Sequence, residues 1–331
     1  MRARCHIHAC SPGWPIAAES LKLFVLIGAS VAGGCASLWN RAPVPESVTA
    51  CRDLSQQALF AMEQNDWAAA ERLLGRAVEV CPIDVTARGH YAEVLLRRGA
   101  VDEALTQLEE SRALGNNDVS LTVRTGSVYL LSGRPERAAK LAADALNLDP
   151  TFADAWALRA RVHLTQGDHA GALSDFQRAL GLRPNDRGLQ FELAALYARL
   201  HRPDRCLATV QSLLDNYPTG EEPAQALFLE GVALAELKRY RDAAHSMNLA
   251  CSRGQPTLEM FQRLAETETR AGHEDRAEAV LAHILAHAPQ YAPALALRQE
   301  LSRRMASRQR DSRFSLGPTT ATAGANGTPR F

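Results

Sequence analysis

Aromatic residues make up only 6% of this 331-residue chain, which argues against a sheet-rich fold, because strands draw heavily on ring side chains. An excess of charge of either sign is also missing. Lys plus Arg and Asp plus Glu number 37 each and the pI is about 7.1, so the chain as a whole lacks the basic footprint that holds nucleic acid. There is no glycine-rich phosphate loop, no Gly-x-Ser-x-Gly elbow and no His-Glu-x-x-His pair, which removes the most legible nucleotide-binding, serine-hydrolase and zinc-hydrolase classes. The remaining chemical candidates are weak. Glu109 with Glu110 and Glu221 with Glu222 read as solvated carboxylates. His283 and His287 lie one helical turn apart without an obvious third ligand. Cys5, His6, His8 and Cys10 precede a predicted cleavage point. No catalytic residue, metal or cofactor is expected.

What the chain does have is a period. Ala70, Ala104, Ala138, Ala172, Cys206, Ala243 and Ala277 recur at intervals of 34, 34, 34, 34, 37 and 34. Pro82, Pro150, Pro184, Pro218 and Pro289 keep step with them. A fixed 34-residue interval marks a helical repeat array, in which each unit packs only on its neighbours. The units run 51–84, 85–118, 119–152, 153–186, 187–220, 224–257 and 258–291, and only Glu221, Glu222 and Pro223 fall outside the frame. Within a unit, small residues at the eighth, twentieth and twenty-seventh positions, such as Ala160, Ala172 and Ala179, let helix axes approach closely. Gly99, Gly133, Gly167 and Gly272 stand in the turn between the two helices, and the proline stops the second one.

This register resembles the tetratricopeptide repeat (TPR) family. The fourth unit carries Trp156, Ala160, Ala172, Phe176, Ala179 and Pro184 in the family's frame, and the third carries Gly126, Tyr129, Ala138, Ala142, Ala145 and Pro150. Asn116 and Gln255 stand where proline is expected, and Cys206 where alanine is, without shifting the frame. The resemblance implies an all-α fold, a right-handed α-solenoid of about seven helix pairs. A capping helix is expected over 292–309, with Ala294, Leu297, Leu301 and Met305 on one face, followed by a disordered tail over 310–331.

The N-terminus is a second signal. Arg2, Arg4 and Lys22 precede an uncharged run from Leu23 to Gly34 that ends on Ala32, Gly33, Gly34 and Cys35, the parts of an export signal. Because the small residues end on a cysteine, the segment resembles a bacterial lipoprotein signal over 1–34, in which Cys35 would be acylated, with palmitate among the expected chains. An uncleaved anchor over 23–40 and a cleaved soluble export signal are the alternatives. Residues 35–50, with Pro43 and Pro45, form a short tether. Ala36 in place of a retaining aspartate points, by the same resemblance, to the outer membrane, facing the periplasm. Export into an oxidising compartment would make Cys51 and Cys81, at the same end of the first helix pair, a candidate disulfide.

The resemblance implies that the first helices line a concave groove through their fifth, ninth and twelfth positions, which share a face by i, i+4, i+7 spacing. The candidate partner-binding residues are Leu59, Met62, Val123, Phe191, Ala195, Phe228 and Val232, with Arg161 and Arg199 placed to orient an acidic group. Phe191 and Phe228 hold the same position in consecutive repeats and are expected side by side. Leu96, Leu130 and Leu164 on the same face read equally well as packing between neighbouring helices. The Lys and Asn pair that cochaperone-type TPR domains use to hold a carboxylate is absent. The expected function is a non-enzymatic, membrane-tethered scaffold that binds a partner protein or peptide in the cell envelope. An assembly lipoprotein for a pilus secretin or a polysaccharide export machine is the more specific alternative. A catalytic protein is disfavoured, because 310–331 is too short to fold as a domain.

Overall fold

The computed structural model describes residues 46–115 and 117–315, which contain fifteen α-helices and no strand. In chain order these are α1 (Glu46–Glu63), α2 (Trp67–Val80), α3 (Val85–Arg98), α4 (Val101–Leu114), α5 (Val119–Leu131), α6 (Pro135–Leu148), α7 (Ala153–Thr165) and α8 (His169–Leu182). Then come α9 (Arg187–Arg199), α10 (Pro203–Leu214), α11 (Ala224–Glu236), α12 (Tyr240–Arg253), α13 (Leu258–Ala271), α14 (Glu274–His287) and α15 (Ala292–Ser315). The chain divides between Gly99 and Ala100 into two compact units, one holding α1–α3 and the other α4–α15. That boundary falls between the two helices of the 85–118 repeat.

Local chemistry explains where each helix starts and stops. Asp66, Asp84, Asp118, Asp168 and Asp186 each accept a backbone N–H from the first turn of the helix that follows, satisfying donors that a helix end leaves open. Between first and second helices the chain takes a positive φ at one register position in all seven repeats: Asn65, Gly99, Gly133, Gly167, His201, Lys238 and Gly272. Four of these are glycine, which enters the left-handed region without a Cβ clash.

Packing follows the small residues. At the eighth position Ala58, Ala92, Ala160, Ala194 and Ala265 are fully buried, as are all seven residues of the twentieth position. The eighth positions of α5 and α11 go further. A Cβ on Gly126 would meet Leu158 Cδ2 at 2.5 Å, and one on Gly231 would meet Met247 Cγ at 2.5 Å and the Ala243 carbonyl at 3.0 Å. A second register element joins successive repeats: Arg88, Trp156 and Gln190, all at the fourth position, donate to the carbonyls of Pro82, Pro150 and Pro184.

In the first unit Ala58, Ala61, Ala70, Leu74 and Val94 form one cluster, and Cys51, Ala77 and Ala87 another. In the second unit the largest cluster is centred on Phe176, Leu193, Leu196, Tyr197 and Val210. Ala294 and Leu301 of α15 are buried against Ala277, Leu281 and Ile284, with Leu297 and Met305 beside them, so the expected cap is present. Two element ends differ from the expected ones. α1 begins at Glu46, inside the expected tether, with an acidic residue in its first turn. α15 continues to Ser315, past the expected end at 309, and its earlier part is held to α14 by the Arg298–Glu278 and Arg308–Glu274 pairs.

Candidate partner-binding surface

The first-helix positions divide into sealed and open ones. At the fifth position Gly89, Val123, Ala157 and Gln262 are buried, whereas Ser55, Phe191 and Phe228 are half-buried. Val123, expected on the groove wall, is a core residue packed with Ala142, Ala145, Leu146, Ala155 and Leu158. Neighbouring helices come too close there for the fifth position to reach solvent. Ala195 and Val232 at the ninth position are half-buried, and Leu59 is exposed. Met62, Leu130 and Leu164 are half-buried against the core clusters, as the packing reading of the two leucines has it.

The two arginines differ. Arg161 is held by Glu192 of the next first helix through two hydrogen bonds, Nε to Oε2 at 2.8 Å and Nη2 to Oε1 at 2.5 Å. Those bonds raise its pKa against the opposing effect of burial, and a carboxylate of the chain itself occupies the place expected for an acidic ligand. Arg199 is exposed.

Phe191 lines an apolar pocket of about 450 Å³ with Arg187, Gly188, Leu213, Tyr217, Pro223, Gln225 and Ala226. Phe228 is not among the lining residues, so the two rings do not share this pocket. Tyr217, Pro223 and Arg187 were not legible as site residues, although the interval of 37 marks the place, because Pro223 belongs to the three residues outside the frame. In the last repeat Gln262, Glu266 and Thr269 line a polar pocket of about 430 Å³ with Glu300 and Arg304 of α15. There Gln262 Nε2 donates to Glu266 Oε1 at 3.0 Å.

In the first unit Leu59, Ser55, Cys51, Cys81 and His90 line a pocket of about 350 Å³. Both thiols are free. The Cys51 thiol donates to the Ala77 carbonyl at 3.5 Å and to Asp84 Oδ2 at 3.4 Å. Burial first, then Asp84 and Cys81, push its pKa up to about 11. The His283 ring packs tilted against Phe261 and His287 at centroid distances of 4.7 and 4.6 Å, and no group of three metal-ligating side chains occurs among the described residues. The expected signal, Cys35, the Cys5–Cys10 cluster and the tail beyond 315 lie outside the described residues. Among the described residues no helix is long and apolar enough to cross a membrane.

Two tetratricopeptide repeat models match, one over 56–118 and 123–187 and the other over 163–230. The chain belongs to the tetratricopeptide repeat family. Arrays of this TPR family are protein-interaction modules. Cellulose synthase operon protein C of Xanthomonas axonopodis pv. citri is 27% identical over 227 residues, which cover 65% of this chain and only 15% of that protein. Among solved structures, Pseudomonas aeruginosa PilF matches at TM-score 0.56 and 18% identity over 66% of this chain and 99% of its own. PilW, described as a type IV pilus biogenesis factor, matches at TM-score 0.56 and 17% identity, over 63% of this chain and 96% of its own.

Proposed function

We propose that this TPR protein is a non-enzymatic scaffold, tethered through acylated Cys35 in the bacterial cell envelope, that holds a segment of a partner protein on its first-helix face. The observation that carries the reading is the set of half-buried apolar residues Phe191, Ala195, Phe228 and Val232 on consecutive first helices. Apolar side chains left partly open on a rigid array are suited to anchor residues of a helical or extended partner. Burying either phenylalanine against a ligand contributes about 1.5–3 kcal/mol, or about tenfold or more in affinity. The test pairs thermal stability with partner capture from solubilised envelope for Phe191→Ala and Phe228→Ala. Capture that falls at unchanged stability supports the reading, and unchanged capture by folded variants removes this face from it.

The fold likeness to PilW and the sequence similarity to a cellulose synthase operon protein favour a more specific version, in which the partner belongs to a pilus or polysaccharide export assembly. The tether and the compartment are tested together by acyl labelling, intact mass and non-reducing peptide mapping of the mature protein. The expected chain begins at acylated Cys35, and the candidate Cys51–Cys81 bridge, two free thiols in this structure, would close about 30 residues and add roughly 2–4 kcal/mol once oxidised. A mature protein that retains residues 1–34 contradicts the lipoprotein reading, and free thiols after oxidation contradict the bridge.

A further inference from the structure

Of the three residues that break the 34-residue frame, Glu221 to Pro223, the last lines the pocket at Phe191. Glu222 accepts the Gly220 N–H at 2.8 Å and pairs with Arg253 of α12, which pins the insertion and sets Pro223 at the start of α11. A hydrogen-bond chain holds the backbone beside the lining residues Arg187 and Tyr217. Gln190, only 3% exposed, donates to the Pro184 carbonyl at 3.0 Å, and Asn216 Nδ2 donates to Gln190 Oε1 at 3.2 Å and to the Ser212 carbonyl at 2.9 Å. The Asn216 carbonyl in turn accepts from Arg187. The cleft is therefore preformed, and a preformed cleft loses little conformational entropy when it is filled.

Its chemistry has two parts. Phe191, Leu213, Tyr217, Pro223 and Ala226 supply a lining of carbon, and the volume of about 450 Å³ lies toward the small end of ligand clefts. At the rim the Arg187 guanidinium lies 4.2 Å over the Tyr217 ring. It carries five N–H donors, gives one bond to Asn216, and forms no ion pair with a carboxylate among the described residues. Arg159, Arg161 and Arg298, by contrast, are each matched by an acidic residue. Gly188, one residue on, leaves the mouth without a side chain.

We propose that this pocket takes one bulky apolar side chain, aromatic or branched aliphatic, from an extended partner segment in which the adjacent residue is Asp or Glu. The apolar side chain fills the cleft and the carboxylate pairs with Arg187 at the rim. This names the partner chemistry for one point of the surface above and rests on the protein-binding reading.

The experiment is saturation-transfer NMR on the full chain with the synthetic peptide acetyl-Gly-Phe-Glu-Gly-amide. Parallel peptides replace Phe by Ala or Glu by Lys. Transfer to the phenyl ring is expected, lost in the Ala peptide and about five- to tenfold weaker in the Lys peptide, as for an exposed charge match. Arg187→Glu should reverse the Glu over Lys preference. Gly188→Leu should fill the mouth and abolish transfer; its Cβ would stand 3.3 Å from Asp186 Oδ1, which caps α9, so the variant is read only with helicity and melting temperature measured beside it, leucine being the better helix former. Equal binding of the Glu and Lys peptides, or undiminished binding by Gly188→Leu, overturns the proposal. Peptide binding as expected with no partner captured from envelope would sink the scaffold reading and leave the pocket. Partner capture indifferent to Arg187→Glu and Gly188→Leu would do the reverse.

Discussion

Gly231 shows at residue scale how closely the paired helices approach. Its missing Cβ leaves room for Met247 and for the Ala243 carbonyl, and a carbonyl within a helix cannot step aside as a flexible side chain can. Gly231→Ala should therefore lose roughly 1–3 kcal/mol, the usual range for overpacking, read as a lower urea midpoint with unchanged slope. Cys206 makes a second case. It fills a twentieth position where the other six repeats have alanine, and it is fully buried. Burial first, then the Glu236 charge, push its pKa from 9.0 up to about 12. The folded chain holds this proton where the unfolded chain releases it, so the contribution is complete below pH 9 and is lost as pH rises toward 12. Cys206→Ala lacks that slope. Urea midpoints at pH 8 and pH 10.5 should show the wild type losing more stability than the variant. An equal loss would mean that the thiol ionises as freely in the fold as outside it.

At the scale of elements, the repeated left-handed turn separates what the chain needs from what it tolerates. His201 and Lys238 hold positive φ where four other repeats have glycine. A side chain in that region carries a cost of about 1–2 kcal/mol, only partly offset by the greater entropy that glycine loses. Lys238→Gly should raise stability by about 0.5–1 kcal/mol, measured by chemical denaturation, and a loss instead would mean that the lysine makes a contact worth more than the strain. The turn, the small-residue positions and the capping face of α15 were all legible in the sequence, because each is a local or strictly periodic demand on one residue type. The fourth-position bonds to the preceding proline carbonyl were less so. Arg88, Trp156 and Gln190 do the same work with three unlike side chains, and no single residue type betrays it. The ends of α1 and α15 were also misjudged, since charged helix ends extend without changing the repeat.

For the whole molecule, periodicity reveals the architecture but only roughly the binding surface. Position within a repeat says which face a residue is on, and spacing between helices decides whether it is open. That is why Val123 is sealed into the core while Phe191 is half-open, although both hold the fifth position. It is also why Arg161 is matched by Glu192 of the next first helix, a pairing between repeats that one repeat's pattern cannot display. The pocket at Phe191 arises where the period fails, so the same irregularity that interrupts the frame marks the candidate site.

The central claim, that this face holds a partner segment, is tested most directly by quantitative capture from solubilised envelope with the wild type, Phe191→Ala and Gly188→Leu side by side, each checked for an unchanged melting temperature. The account predicts a discrete protein retained by the wild type and reduced about tenfold or more by Phe191→Ala, with a comparable loss in Gly188→Leu. The same proteins captured in equal amounts by all three folded chains would contradict it.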